Sequence, residues 1–353
     1  MHGSSPPAAA LPELPNQLAG VPWPTDDWPQ GSLAEPVRRR VDTLLDDAFS
    51  AAEHPRLGET HAVLVVQGGR IVAERYAAGF SPASTFPSWS KAKSITHALV
   101  GLAAAAGKLD IHAPADVPEW QADGDPRRAI TLDQLLRMSS GLDFVEVYVP
   151  GGRSDVIEML FGSGQDDVAH FAASAPLAHP PGTWFSYSSG TTNIVSRCLA
   201  RAIGATGEAF EAFMRERLFG PLGMKSPLPK FDAAGTFIGS SFCFATARDF
   251  ARFGLLYLRG GQWDGQQLLH QSWVDYARTP TWQQPGVTEG RYGAHWWLDM
   301  AGAGSFSANG YEGQYTVLVP DLDLVIVRHG KTPLELKDNV PAWIAALAEA
   351  FRQ

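Results

Sequence analysis

Three short stretches hold side chains whose types and spacing suit nucleophilic catalysis. The first is Pro87-Ser-Trp-Ser-Lys-Ala-Lys-Ser94, which contains two overlapping S-x-x-K pairs, Ser88 with Lys91 and Ser90 with Lys93. Residues three apart share a helix face, so the lysine amine can reach the serine oxygen. Burial turns that amine into a base, because desolvation disfavours the ammonium form. Moving a lysine from ~10.4 to ~7–8 costs about 3–4 kcal/mol, which only a packed, partly dry site imposes. Backbone N–H groups at the helix start favour a developing oxyanion. A serine N-cap next to a surface lysine has the same spelling, so the pair alone decides nothing.

The second stretch, Trp184-Phe-Ser-Tyr187-Ser-Ser189-Gly190, opens a helical run over Thr191–Ala202. Tyr187 beside a cation can ionise or relay a proton to a leaving group. Ser189, two residues on, points to the same side and can bond substrate or lysine. A core tyrosine in a loop explains an isolated Y-x-S equally well. The third stretch, Asn309-Gly-Tyr311-Glu-Gly313-Gln314, leads into the run Tyr315–Val319. Glycine lets a strand edge approach a ligand closely. The N–H of Gln314 would then complete an oxyanion hole with that of Ser90. Taken alone, a glycine-rich loop before a hairpin is the plainer reading.

These residues need a scaffold to bring them together, and the apolar patterning outlines one. Downstream of Lys93, Ile95, Leu99 and Leu102 form a helical stripe, which predicts a buried helix. Runs at His61–Val66 and Ile71–Tyr76 flank Gln67-Gly68-Gly69-Arg70, and runs at Tyr315–Val319 and Leu324–Arg328 flank Pro320–Asp323. Both read as β-hairpins. Helices are predicted over 35–53 and over Pro341–Phe351. Thr131-Leu-Asp-Gln134 is a capping box for another, ended by Ser139-Ser140-Gly141. With little strand signal between the hairpins, one antiparallel sheet is built from both ends of the sequence. The expected fold class is α+β, an antiparallel sheet flanked by helices with an inserted helical domain. Residues 1–30, rich in proline and carrying Trp23 and Trp28, form an arm; its second half is expected to dock through the tryptophans. Residues 31–110 and 235–353 form the α/β domain and 111–234 the helical one, in line with about two domains for 353 residues.

Composition narrows the function further. Hydrophobic residues make up 45% and charged residues 18%, which excludes global disorder. A net charge of −9 without a Lys/Arg cluster argues against nucleic-acid binding. Ala98–Gly107, bracketed by Lys93 and Lys108, is the longest apolar stretch and falls short of a membrane span. The N-terminal sequence lacks a basic segment before an apolar core, so a cytoplasmic protein without membrane association is expected. Cys198 and Cys243 give no disulfide framework, and Cys198 reads as an inert buried thiol. No G-x-S-x-G, H-E-x-x-H or other compact metal-ligand spacing occurs. Gly330-Lys331-Thr332 is not a phosphate loop, since Val325 stands where the first glycine belongs. No cofactor and no metal are expected.

Taken together, the three stretches resemble the serine β-lactamase and penicillin-binding-protein superfamily over about residues 60–330. Gly107-Lys-Leu-Asp110, Ile130–Leu142 and Ala245–Gly254 are similar to the class C-related branch, with its family VIII carboxylesterases and 6-aminohexanoate-dimer hydrolases. Gly141–Tyr148 is close to the latter. The resemblance implies a β-lactamase/transpeptidase-like fold and selects Ser90 and Lys93 over Ser88 and Lys91. It implies Tyr187 as the catalytic tyrosine and Tyr148, Ser189, Tyr311 and Gly313 as substrate-binding. The family's Y-x-N is here Tyr187-Ser188-Ser189 and its K-T-G is Tyr311-Glu312-Gly313. Without the K-T-G lysine no positive charge awaits a β-lactam carboxylate. Neutral esters or linear amides are the expected small-molecule substrates, cleaved through an acyl-enzyme on Ser90. An acyltransferase with the same triad, a sensor that stops at the acyl adduct and an inactive scaffold stay open, as does a homodimer. His97 is expected to be a core residue rather than a partner of Lys93, and Trp296 and Trp297 either wall a pocket or pack the core.

Overall fold

The run Ala62-Val-Leu-Val-Val66 is apolar at every position because its strand is covered on both faces. The computed structural model describes residues 11–50, 55–148, 151–288 and 290–352. In chain order its elements are α1 (Glu35–Ala48), β1 (Glu59–Gln67), β2 (Arg70–Tyr76), α2 (Ala92–Ala105), α3 (Leu132–Leu136), α4 (Asp155–Phe161) and α5 (Val168–Ala173). There follow α6 (Ser189–Ile203), α7 (Gly207–Met214), α8 (Ala247–Leu258), α9 (Gln271–Arg278), β3 (Arg291–Tyr292), β4 (Trp297–Leu298), β5 (Phe306–Gly310), β6 (Gln314–Val319), β7 (Leu324–Lys331) and α10 (Asn339–Glu349). A seven-stranded antiparallel sheet has the order β2-β1-β7-β6-β5-β4-β3. Val66 pairs with Val325, so strands from the two ends of the sequence lie side by side in the sheet. Short strands at Thr85–Phe86, Leu228–Pro229 and Cys243–Thr246 form a second, small sheet.

Alternation along each strand assigns the two faces. Val63 and Val65 join Leu324, Ile326 and Val317 under α1 and α10, against Val41, Leu45, Trp343 and Ile344. Ala62, Leu64 and Val66 join Val325, Val327 and Leu318 on the opposite face, against α2 and α8. α2 is deeply enclosed, with Ala92 through Ala103 all buried. At Gly101 the Trp273 indole comes so close that a Cβ would lie 2.3 Å from its nitrogen. Between 111 and 234 the elements are α3–α7 and the short strand at Leu228–Pro229.

The two predicted hairpins, the antiparallel α+β class and the Thr131–Gln134 capping box are all found. Three expectations are corrected. The helix predicted over 35–53 ends at Ala48, with Phe49 capping its last carbonyls; residues 51–54 lie outside the described residues. α3 ends at Leu136, ahead of Ser139–Gly141, and Met138 just beyond its cap takes a left-handed φ of 57°. Ser139 N–H then bonds Gln134 and Met138 N–H bonds Leu135, a Schellman closure on a non-glycine residue. The sheet also contains β3, β4 and β5, whose two to five residues carry too short a pattern to read.

The arm is docked from Pro12 onward. Arg278 donates to Pro12 O, Arg259 to Pro15 O and Gln17, and Arg252 to Pro24 O and Asp26 O. Trp28 is buried and Trp23 packs on Trp263. Among the described residues, no helix is long and apolar enough to cross a membrane.

Candidate active site

The segment before α2 enters through a tight turn. Trp89 adopts a left-handed φ of 44°, Trp89–Lys91 form one 3-10 turn, and α2 continues from Ala92. That turn settles which of the overlapping pairs is formed. Lys93 Nζ lies 2.9 Å from Ser90 Oγ. Ser88 instead donates to Ser241 O at 3.0 Å and accepts from Cys243 N–H at 2.9 Å. Lys91 points the other way, into the sheet, 3.3 Å from both Thr316 Oγ1 and His329 Nε2 and over the Phe250 ring.

Lys93 is buried, and desolvation lowers its pKa to about 8, with Glu146 opposing the fall. Its amine also contacts Ser189 Oγ at 2.9 Å and Ser240 O at 3.0 Å, and sits 4.8 Å from the centre of the Tyr187 ring. Ser189 is there because Ser188 caps α6 by accepting Thr191 N–H, which starts the helix at Ser189. Burial and the Glu146 carboxylate push Tyr187 well above the ordinary phenol range, while hydrogen bonding to Ser90 and Trp297 works against them. Tyr187 is therefore a neutral phenol at physiological pH.

Ser90, Tyr148, Tyr187, Trp297, Asn309, Gly310 and Tyr311 line a cleft of about 200 Å³, with no charged side chain among them. Tyr148 stacks on Tyr311 at 4.9 Å, and Trp89 meets Tyr311 edge-on at 5.8 Å. A more open hollow of about 840 Å³, lined by Gln30, Arg70 and Asp323 among others, lies by the β1–β2 turn and holds no nucleophile–base pair.

Gly313 and Gln314 stand elsewhere than expected. Both β5 and β6 pack on the nucleophile turn, β6 through Thr316 at Lys91, but the glycine that makes the close approach lies in β5, before the Tyr311–Gly313 turn. Gly310 makes the close approach: a Cβ there would lie 2.4 Å from Ser88 O and 3.2 Å from Trp89 Cβ. Gly313, with φ of 82°, makes room for protein, since a Cβ would lie 2.2 Å from an Arg328 nitrogen. Gln314 is buried across the hairpin, its side chain bonded to Gly330 and His329. Neither residue lines the cleft; Tyr311 does.

The other candidates divide cleanly. His97 is a core residue, bonded to Tyr257 at 2.8 Å and stacked on Trp273. Burial holds it neutral, far below the usual imidazole range. Trp297 lines the cleft, whereas Trp296 is fully buried against Tyr257 and Phe306. Cys198 is buried, its thiol pushed up to about 12. No group of three or more side chains able to hold a metal occurs among the described residues.

Glu146 escaped the sequence reading. Its carboxylate accepts from Ser189 N–H at 2.8 Å, Ser189 O–H at 2.6 Å and Tyr148 O–H at 2.7 Å. The available signal was its place two residues before Tyr148 in extended chain, where alternate side chains share a side.

Comparison with known proteins places the chain in a family. The Beta-lactamase family model matches residues 49–350. A 6-aminohexanoate-dimer hydrolase from Paenarthrobacter ureafaciens is 28% identical over 317 residues, 85% of this chain and 79% of that protein. A Bacillus anthracis structure provisionally described as a 6-aminohexanoate-dimer hydrolase aligns with a TM-score of 0.72 at 23% identity, covering 98% of this chain and 92% of that one. A family VIII carboxylesterase aligns with a TM-score of 0.68 at 15% identity, covering 91% and 99%. At those identities the two structures share the fold.

Proposed function

The chain belongs to the beta-lactamase family, and on that premise we propose that it is a serine hydrolase that cleaves neutral ester or linear amide bonds through an acyl-enzyme on Ser90. The observation that carries the reading is the 2.9 Å contact between Ser90 Oγ and the buried Lys93 amine in an uncharged aromatic cleft. Lys93 in its neutral form takes the Ser90 proton as Ser90 Oγ attacks the carbonyl carbon. Tyr187, held as a phenol, passes a proton to the leaving oxygen or nitrogen and is reprotonated from Lys93. The N–H of Ser90 and the N–H of Tyr311 hold the tetrahedral oxyanion. Tyr311 replaces Gln314 in that role because it follows the close-packed Gly310 and borders the cleft. Water then attacks the acyl-enzyme with the same groups returning their protons.

Substrate charge follows from the lining. A β-lactam or peptide carboxylate finds no cationic side chain in the cleft, so poor β-lactam turnover is expected. Tyr148, Tyr311 and Trp297 offer flat apolar surface to an acyl or alcohol group. The 28% identical relative, described as a 6-aminohexanoate-dimer hydrolase, supports including amides. Residence in the cytoplasm belongs to the same proposal; the two free, buried cysteines support it, and cell fractionation checks it.

The test is hydrolysis of p-nitrophenyl acetate and butyrate by wild type, Ser90→Ala and Ser88→Ala, with 6-aminohexanoate dimer and nitrocefin alongside. Loss of turnover in Ser90→Ala, by at least about a thousandfold, with Ser88→Ala remaining active is the expected result. Retention of activity by Ser90→Ala removes the nucleophile and the proposal with it.

A further inference from the structure

Proton inventory around Lys93 shows what Glu146 does. An ionised carboxylate only accepts hydrogen bonds, and Glu146 takes both the N–H and the O–H of Ser189. The single hydroxyl proton of Ser189 is thus committed to Glu146, and toward Lys93 Ser189 can only accept. Ser240 O, a carbonyl, also can only accept from Lys93. A neutral amine has two N–H bonds and one lone pair. With both N–H bonds engaged by Ser189 and Ser240, the lone pair is left for Ser90 Oγ, 2.9 Å away. Glu146 sits at the N-terminus of the 15-residue α6, where a negative charge is favoured.

We propose that Glu146 is a positioning residue: standing one hydroxyl away from the Lys93 amine, it fixes Ser189 as an acceptor and so aims the Lys93 lone pair at Ser90. The inference rests on Lys93 being the base.

The surroundings isolate that charge. Tyr187 and Tyr148 remain protonated, since burial and Glu146 itself push both phenols up. His295 is neutral, its pKa lowered to about 3 by burial and the nearby Lys93, with Nδ1 at Leu136 O. Lys93 therefore faces two phenols, a neutral imidazole, two serine hydroxyls, a carbonyl and one carboxylate. The carboxylate opposes the desolvation that lowers Lys93. Glu146 consequently does two opposite things. It orients the base and it makes that base harder to deprotonate.

The experiment is the pH profile of kcat/KM on p-nitrophenyl butyrate for wild type, Glu146→Gln and Glu146→Asp, with the pH dependence of Ser90 labelling by a fluorophosphonate as a second readout. Wild type shows an acid limb near pH 8. In Glu146→Gln the limb moves down by about one pH unit, while the alkaline plateau falls about tenfold because Ser189 is free to donate into the lone pair. Glu146→Asp keeps the charge and keeps the limb near its wild-type position. A purely structural role lowers the plateau and leaves the limb where it was; that result overturns the inference. Glu146→Ala also lacks the charge and answers the same question where the Gln variant fails to fold. A wild-type profile with no limb near pH 8 removes Lys93 as the base, and this inference falls with that reading. A wild-type limb with an unmoved Glu146→Gln limb sinks the inference alone.

Discussion

At the scale of single residues, two buried lysines separated only by Ala92 have opposite fates. Lys93 is surrounded by hydroxyls, a carbonyl and a nearby carboxylate, and its pKa settles at about 8. Lys91 lies over Phe250 beside His329, without a carboxylate partner, and desolvation drives it well below the ordinary lysine range. Hydrolysis should therefore be lost as pH falls through 8, because only the neutral Lys93 can take a proton. No basic limb from Tyr187 should follow, since its phenol is shifted upward. Stopped-time assays from pH 6 to 10 check both. Gly310→Ala is expected to cut kcat/KM by about a hundredfold or more with the fold retained, because a shift of about 1 Å in the reacting groups has that effect. The added methyl would meet Ser88 O at 2.4 Å and force β5 away from the nucleophile turn. The candidate pairs were legible as i,i+3 and i,i+2 spacings, but Ser88 and Lys91 share the first of these, and only the family resemblance singled out Ser90, Lys93 and Tyr187. Glu146 was not legible, since its partner Ser189 lies far off in sequence. The oxyanion glycine was mis-registered for a related reason: Gly310 and Gly313 flank one turn, and packing alone tells which faces Ser88.

At the scale of elements, the Tyr311–Gly313 turn depends on Arg328. This side chain is buried in β7 and, with its pKa near 10, stays charged. It donates to Gly313 O, Thr332, Leu57 O, Glu59 O and Thr60, and none of these is a carboxylate. A guanidinium thus ties the turn that presents Tyr311 to β1, the strand paired with β7. Arg328→Met should lower unfolding stability by about 3 kcal/mol or more, since several buried oxygens lose their donor together. Urea unfolding midpoints at unchanged slope measure it. An equal stability with Met would mean the turn is held by its strands alone. The sequence did disclose the strands on either side of Arg328, through unbroken runs of Val, Leu and Ile. It did not disclose β3 and β4, at two residues each, because their pairing is imposed by neighbours and not by any period of their own.

At the scale of the whole molecule, the proline-rich arm is part of the fold. Arg252, Arg259 and Arg278 spend guanidinium donors on its carbonyls. Gly223 leaves room for it, since a Cβ there would lie 1.7 Å from Thr25 O. Deleting residues 1–30 should strand those buried arginines and expose the cavity of Trp28, with a fall in thermal midpoint of several degrees. Calorimetry of the truncated chain is the check; an unchanged midpoint would make the arm a passive cover. The sheet carries a different consequence. β1 pairs with β2 on one edge, but its other edge closes only on β7, Val66 against Val325, and the cleft gains Gly310 and Tyr311 only once β5 and the turn after it are made. During synthesis, α2 with Ser90 and Lys93 leaves the ribosome long before those strands exist, and β1 waits with its second edge unpaired and without the cover of α8 and α10. A nascent chain arrested before Phe306 should be inert toward p-nitrophenyl butyrate and bound by chaperones, and completing the chain should start hydrolysis. Translation thus keeps the nucleophile silent until the protein is nearly finished.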